Sequence, residues 1–167
     1  MRNHFLLILL AFFSFTCFSQ EYLLDVENLN TEDGLANMYT FSTFKDSKGY
    51  LWVSTKYGLN RYDGYECELF TKEQNKLFSN SHIGRMEEDA EGNLWIFYFI
   101  VKGNIYLEAI DVFNPETGIA IPLKEYIADE IPFEIKDVTL PLARIAQKNI
   151  WIYNSNGQLF LFKTTHK

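Results

Sequence analysis

The sequence predicts an all-β fold, and three observations support this prediction. Segments such as 51–55 alternate with the two-residue period of a strand. Turn-forming residues separate these segments, as at 46–49 and 63–64. Aromatic residues make up 17% of the chain, which favours sheet because aromatic side chains pack well on a pleated surface. No helical period appears after residue 19.

A pattern of Asp, Gly and Trp recurs along the chain and indicates the architecture. Its second copy follows the first after 43 residues, and a weaker third copy keeps the Trp and a Gly six residues beyond it. The repeated residues are Asp46, Gly49, Trp52, Gly58, Asp89, Gly92, Trp95, Trp151 and Gly157. A four-stranded unit of about 40–45 residues is the period of a β-propeller blade. The sequence therefore predicts a partial β-propeller of about three four-stranded blades.

Residues 1–19 are predicted to be a signal peptide. Arg2 precedes an apolar run at 5–13, and small residues stand just before Gln20. The run is too short to span a bilayer. We therefore expect cleavage before Gln20 and a periplasmic mature chain without a membrane span.

The first two blades are assigned to residues 20–71 and 72–123. The strands of the first are expected at 22–29, 38–45, 51–55, 59–62 and 66–71. In the second, 72–81 is a polar connection, and the strands 94–101 and 105–113 form an extended hairpin. Insertions of this kind lie on one face of repeat proteins.

The third blade, with the tail, is assigned to residues 124–167 and is degenerate. Its strands are expected at 133–140, 142–147, 150–153 and 158–163, after a loop at 126–132. Pro141 indicates a break or an edge strand, because proline has no N–H to donate to a neighbouring strand.

Composition restricts the partners. The net charge is −7, and it becomes −8 when Arg2 is removed with the signal peptide, which contains no acidic residue. Without a cluster of Lys or Arg, this charge argues against a nucleic-acid partner. Cys67 is the one cysteine of the mature chain, so no internal disulfide can form, and we expect it to be a small buried hydrophobic residue.

No catalytic residue, metal site or cofactor is predicted. The mature chain contains two histidines, His82 and His166, which are too few for a metal site or a catalytic triad. A calcium site in the acidic run 87–91 is disfavoured, because successive strand residues point to opposite faces and at most two carboxylates would converge.

The aromatic residues divide into packing residues and weak ligand candidates. The three Trp residues recur at one strand position, so we expect them to pack blade against blade rather than to stack on sugars. The aromatic residues of the extended hairpin are better candidates for ligand binding. They are Phe97, Tyr98, Phe99 and Tyr106.

Segments 31–37, 46–55 and 58–64 closely resemble the two-component-regulator propeller repeat, and 89–95 with 113–118 look like its next copy. The resemblance covers about 22–123 well and 133–163 loosely. Similar proteins are hybrid sensor histidine kinases of Bacteroidetes-type bacteria, with periplasmic propellers ahead of a membrane helix and cytoplasmic signalling parts. The resemblance implies a non-catalytic sensor module that responds to oligosaccharides.

The chain departs from that family because it contains about three blades and no kinase region. It looks like the N-terminal piece of such a sensor, either truncated or a short stand-alone relative. Two alternatives stay open: a fragment of a secreted propeller glycosidase or polysaccharide lyase, and a non-functional truncation. Neither end of the arc has an evident cap, so we expect binding to further propeller blades or self-association.

Overall fold

The computed structural model describes residues 26–75, 82–127, 131–146 and 149–162. Within these ranges the backbone forms antiparallel sheets and a few one-turn helices, so the all-β prediction is confirmed. The predicted signal peptide, residues 1–19, lies outside the described residues. Among the helices of the described ranges, none is long and apolar enough to cross a membrane.

Sheet 1 contains four strands in chain order, each antiparallel to the next. They are β1 (Thr40–Lys45), β2 (Leu51–Thr55), β3 (Gly58–Tyr62) and β4 (Cys67–Phe70). The strand predicted at 22–29 is wrong for its described part, because residues 26–30 have no regular structure. The connection that follows the sheet begins with a one-turn helix, α1 (Lys72–Asn75).

Sheet 2 also contains four antiparallel strands in chain order. They are β5 (Ile83–Glu88), β6 (Leu94–Lys102), β7 (Asn104–Asn114) and β8 (Ile119–Pro122), followed by α2 (Leu123–Tyr126). β6 and β7 pair from Leu94 opposite Phe113 to Lys102 opposite Asn104. This is the extended hairpin that the sequence predicted.

Sheet 3 has three strands in the described residues, not the four predicted. They are β9 (Val138–Ala146), β10 (Asn149–Asn154) and β11 (Leu159–Phe162), after a 3-10 turn at Ile135–Asp137. One strand, β9, replaces the two strands predicted at 133–140 and 142–147, because the chain runs extended through Pro141. Residues 133–137 lie outside this strand. β9 lies at the edge of the sheet, where a proline breaks no ladder.

The three sheets stack face to face, with sheet 2 in the middle. Leu94 and Ile96 of β6 pack in core 1, shared with sheet 1, whereas Trp95 and Phe97 pack in core 2, shared with sheet 3. Alternate residues of one strand thus enter two cores. Burial on both faces explains the unbroken apolar run of β6. The arrangement is that of neighbouring blades in a partial β-propeller.

The two outer faces of this arc differ. On sheet 1, residues 34–36 cover the middle of the face turned away from sheet 2: Leu35 is buried, and Ala36 donates its N–H to Asn60 Oδ1 at 3.0 Å. Thr43 and Leu69, on the two edge strands of this face, are exposed, so the N-terminal end is covered in part. The outer face of sheet 3 is open, with Tyr153 and Leu159 exposed.

Candidate ligand-binding surface

The repeated aspartates build the turn between the first and second strands of sheets 1 and 2. Asp46 Oδ1 accepts hydrogen bonds from the N–H groups of Lys48 at 3.0 Å and Tyr50 at 2.9 Å. Its other oxygen, Oδ2, accepts a hydrogen bond from Trp52 Nε1 at 2.8 Å. One carboxylate thus closes the turn and satisfies the polar atom of a buried indole.

The second copy repeats this arrangement atom for atom. Asp89 Oδ1 accepts hydrogen bonds from the N–H groups of Glu91 and Asn93, at 3.0 and 2.9 Å, and Oδ2 accepts one from Trp95 Nε1 at 3.1 Å. In sheet 3 the residue six positions before Trp151 is Ile145, so the carboxylate is missing from that copy. The repeat residues of sheets 1 and 2 therefore serve the turns and the cores.

The repeated glycines after Trp52 and Trp151 close the next turn of each blade. Gly58 has φ of +145°, and a Cβ placed there would lie 2.4 Å from the carbonyl oxygen of Phe70 on the neighbouring strand. Gly157 also has positive φ, in the turn that joins β10 to β11. A side chain at Gly58 would therefore push β4 away from β3.

The four ligand candidates from the hairpin are separated by the fold. Phe97 lies in core 2 and Tyr98 in core 1, both fully buried, so neither ring is available to a ligand. The hydroxyl of Tyr98 lies beside the buried Asp111; burial, with this carboxyl as a second cause, raises the pKa of Tyr98. Phe99 is half-buried against core 2, and Tyr106 is exposed.

Exposed aromatic residues gather at one end of the stack, where β1 and β5 begin and β2 turns into β3. We call the surface formed by Tyr39, Phe41, Tyr57, His82 and Tyr106 the aromatic rim. Its three tyrosines are 73%, 61% and 43% exposed in chain order, and Phe41 is 48% exposed. Sequence patterns missed all but Tyr106, because the others stand in turns and strand ends that the chain brings together only on folding.

Backbone and ring contacts hold the aromatic rim together. Lys56 donates its N–H to the carbonyl oxygen of Tyr39 at 3.0 Å, which places Tyr57 next to the start of β1. The rings of Phe41 and His82 lie 5.6 Å apart and join sheet 1 to sheet 2. Phe99 donates its N–H to the carbonyl oxygen of His82 at 3.2 Å, so the extended hairpin rises from the same surface.

The hairpin turns Tyr106 toward sheet 1. Tyr98, which lies in core 1, faces sheet 1, and side chains alternate along β6, so Ile100 is on the same side. Ile100 is paired with Tyr106 on β7, and paired residues share a face. Lys102, two residues beyond Ile100, follows the same alternation.

The opposite end of the stack is acidic and already internally bonded. Hydrogen bonds from the N–H groups of Glu66 and Tyr65 lower the pKa of Asp63. The Lys48 ammonium, 2.8 Å from Glu116, lowers the pKa of that carboxyl. Ser47 donates its N–H and its hydroxyl to Glu88, at 2.8 and 2.7 Å. These bonds join the turns of sheets 1 and 2.

A shallow depression at the acidic end is a weaker candidate. Its lining residues are Tyr50, Arg61, Asp63, Glu66, Cys67 and Glu68. The Arg61 guanidinium is paired with Glu68 and stacks over the Tyr50 ring, 4.9 Å from its centroid. The charge of Arg61 is therefore already balanced within the protein, which leaves less of it for a ligand. Cys67 is half-buried rather than buried, and burial raises the pKa of its thiol, which disfavours a reactive thiolate.

The described ranges contain no group of three or more His, Cys, Asp or Glu side chains placed to hold a metal ion. The acidic run 87–91 is divided among separate contacts: Glu87 pairs with Arg85, and Glu88 bonds Ser47. Asp89 bonds its own turn and Trp95.

Comparison with known proteins supports the repeat and the fold. Residues 34–57 match the family model described as "Two component regulator propeller", which confirms the resemblance recognised in this part of the sequence. A comparison with curated proteins finds no match.

Solved structures with a similar fold are extracellular domains of regulatory systems of B. thetaiotaomicron. The domain of BT4673, described as a hybrid two-component system, has a TM-score of 0.54 at 16% identity, over 81% of this chain and 16% of that one. Another structure, which describes BT4673 as a one-component system, has a TM-score of 0.50 at 19% identity, with the same coverage. The domain of the hybrid two-component system BT3049 has a TM-score of 0.51 at 24% identity, over 84% of this chain and 20% of that one.

Proposed function

We propose that this chain is a non-catalytic, ligand-sensing module of a two-component regulator, and that its ligands are oligosaccharides. The observation that carries the proposal is the match of residues 34–57 to the two-component-regulator propeller. The fold supports it, because the similar solved structures are extracellular domains of regulatory systems.

The chain spans 16–20% of the length of these similar structures. Sensing by the chain therefore includes, in this proposal, passing the bound state to further domains of a longer system. A periplasmic location follows from the extracellular placement of the similar domains and from the signal peptide predicted at residues 1–19.

The oligosaccharide part of the proposal is supported by the aromatic rim. Four of its rings are between 43% and 73% exposed, although Tyr and Phe gain free energy by burial. Tyrosine offers an apolar ring face and a hydroxyl, which suit the C–H faces and hydroxyl groups of sugar rings.

A binding experiment with an activity control tests the function. We expect the purified mature chain to show a raised Tm and saturable calorimetric binding with at least one member of an oligosaccharide panel, because a ligand that binds only the folded state stabilises it. The same mixtures should release no new reducing ends and no unsaturated products. Catalytic turnover that is lost on substitution of one carboxylate would support a glycosidase or lyase instead.

A further inference from the structure

We infer that the aromatic rim binds an acidic oligosaccharide, one whose sugar rings carry carboxylate or sulfate groups. The inference rests on the proposed function and adds the place of binding and the charge of the ligand. Three observations carry it: the distribution of charge between the two ends of the stack, the exposure of the rings, and their position beneath the extended hairpin.

The charge near the aromatic rim is opposite in sign to that of the whole chain. The segments that form it in sheets 1 and 2 are 38–41, 56–57, 82–84 and 99–106, and they contain Lys56 and Lys102 but no Asp or Glu. The helix α1, which follows β4 at the same end, adds Lys72 and Glu73, whose charges offset each other. Lys56 and Lys102 are exposed, and no ion pair is found for either within the described ranges. In a chain of net charge −7, this local excess of positive charge favours an anion.

The other end of sheets 1 and 2 shows the contrast. Its turns, 45–50, 62–66, 88–93 and 114–118, contain two lysines and seven carboxylates. The two kinds of turn alternate along each antiparallel sheet, so the carboxylates gather at one end, whereas each end has two lysines. An anionic ligand is therefore attracted to the aromatic rim and repelled from the opposite end.

The limits of the positive surface indicate how a ligand lies on it. At the same end of the stack, Glu134 and Asp137 lie just before β9 of sheet 3. The carbonyl oxygen of Asp137 accepts a hydrogen bond from the Ser155 N–H, which holds this segment beside the turn between β10 and β11. Glu108 is the next carboxylate along β7. A bound anion is thus expected over sheets 1 and 2, on the side of the hairpin that carries Tyr106 and Lys102.

The rings favour a saccharide over a nucleic acid. A net charge of −7 disfavours the long phosphate backbone of a nucleic acid, and two exposed lysines would neutralise few phosphates. An oligosaccharide with an acidic group on some of its rings needs fewer cations and several aromatic faces. A single-stranded oligonucleotide is nevertheless included in the test.

The experiment is calorimetric titration of the mature full-length chain with four probes. They are oligogalacturonate, which carries carboxylates, a chondroitin sulfate oligosaccharide, a neutral xylo-oligosaccharide and single-stranded oligothymidylate. The rim variants are Tyr57→Ala and Lys56→Ala. Their matched controls at the opposite end are Tyr65→Ala, an exposed tyrosine, and Lys45→Ala, an exposed lysine. The Tm of each variant reports folding.

We expect one of the two acidic saccharides to bind, and the two rim variants to raise its Kd by about tenfold each while both controls leave it unchanged. Added salt should weaken the binding of the acidic saccharide to the native chain more than its binding to Lys56→Ala. Salt screens the attraction between Lys56 and the anion, and the variant lacks this attraction. Unchanged Tm values would show that the loss of affinity comes from the removed surface side chains and not from unfolding.

The outcomes separate the two proposals. Binding of the neutral saccharide alone, or binding that the control variants weaken equally, would overturn the inference that an acidic oligosaccharide binds the aromatic rim. The proposal of oligosaccharide sensing would remain. If oligothymidylate alone binds, the saccharide ligand would be overturned in the proposed function and in this inference. If none of the saccharides binds a folded chain, the proposed function is overturned together with this inference.

Discussion

Asp46 and Asp89 show at the residue scale how one carboxylate can serve a turn and a core together. Each accepts two backbone N–H groups on Oδ1 and one indole N–H on Oδ2. Both indoles are fully buried, and a buried donor without a partner is costly. The spacing of six residues from Asp to Trp is therefore a bonding requirement as well as a sequence pattern.

We expect Asp89→Asn to lower the free energy of unfolding by about 1–3 kcal/mol. Whichever way the amide is turned, its NH2 group faces an N–H donor, either the indole or the backbone. Asp63→Asn is the matched control, because Asp63 uses Oδ1 alone to accept its two side-chain hydrogen bonds, so an amide oxygen can replace it. Urea unfolding of both variants measures the difference, and equal effects would show that the indole bond contributes nothing.

A second prediction compares two tryptophans of the same repeat. Trp52→Ala should cost about 3–5 kcal/mol of unfolding free energy, because the ring lies fully buried in core 1 against Phe70 and Phe113. Trp151→Ala should cost clearly less, because Trp151 is half-buried on the open face of sheet 3. Thermal and urea unfolding provide the comparison. A soluble Trp52→Ala chain with an unchanged Tm would argue against this account of core 1.

At the element scale, the extended hairpin of β6 and β7 belongs to two environments. Its base contributes Leu107 to core 2 and Tyr98 to core 1, whereas Val101 and Ile105 at the tip are 73% and 57% exposed. The boundary coincides with a register shift between Tyr98 and Phe99, where β7 contains an extra residue. The tip can therefore vary without disturbing either core.

Trimming the tip tests this division. We expect replacement of residues 100–106 by an Asn-Gly turn to leave the Tm nearly unchanged, because the removed residues outside the turn are exposed or half-buried. Leu107→Ala should cost about 2–5 kcal/mol, since that side chain is buried in core 2. If the trimmed chain lost as much stability as Leu107→Ala, the tip would have a packing role. Loss of saccharide binding with an unchanged Tm would agree with the placement of Tyr106 at the aromatic rim.

At the scale of the whole molecule, the stack of sheets has unequal ends. Residues 34–36 cover the middle of the outer face of sheet 1, whereas sheet 3 leaves the face of Trp151, Tyr153, Leu159 and Leu161 open. Trp52 and Trp95 occupy the corresponding position on faces that meet the next sheet. The open face is therefore built like the two that are buried, and an exposed apolar face of this kind attracts partners.

We expect the mature chain to self-associate through this face when no further blade is supplied. The double variant Tyr153→Ser with Leu159→Lys should be less associated in light scattering at tens of micromolar, because it adds a charge and removes two exposed apolar side chains. Val101→Lys, at an exposed apolar position on the hairpin, should associate like the native chain. A monodisperse native monomer at the same concentration would show that the open face needs no partner.

The sequence by itself determined the all-β class, the repeat, the turns at Asp46 and Asp89 and the extended hairpin. These are local properties: side-chain alternation, turn chemistry and spacing are readable within a few residues. The same locality made the strand assignments wrong at 26–29 and 133–137. Those segments have strand-like composition, but the contacts that decide their conformation come from elsewhere in the chain.

Only the tertiary structure decided which aromatic residues are buried and which are exposed. Phe97 and Tyr98 stand side by side in the sequence, and both are buried because sheet 2 is covered on its two faces. Tyr39, Phe41, Tyr57 and His82 come from separate segments and meet because the strand ends of two neighbouring sheets coincide. Long-range stacking of sheets, which no local pattern encodes, therefore created the candidate site.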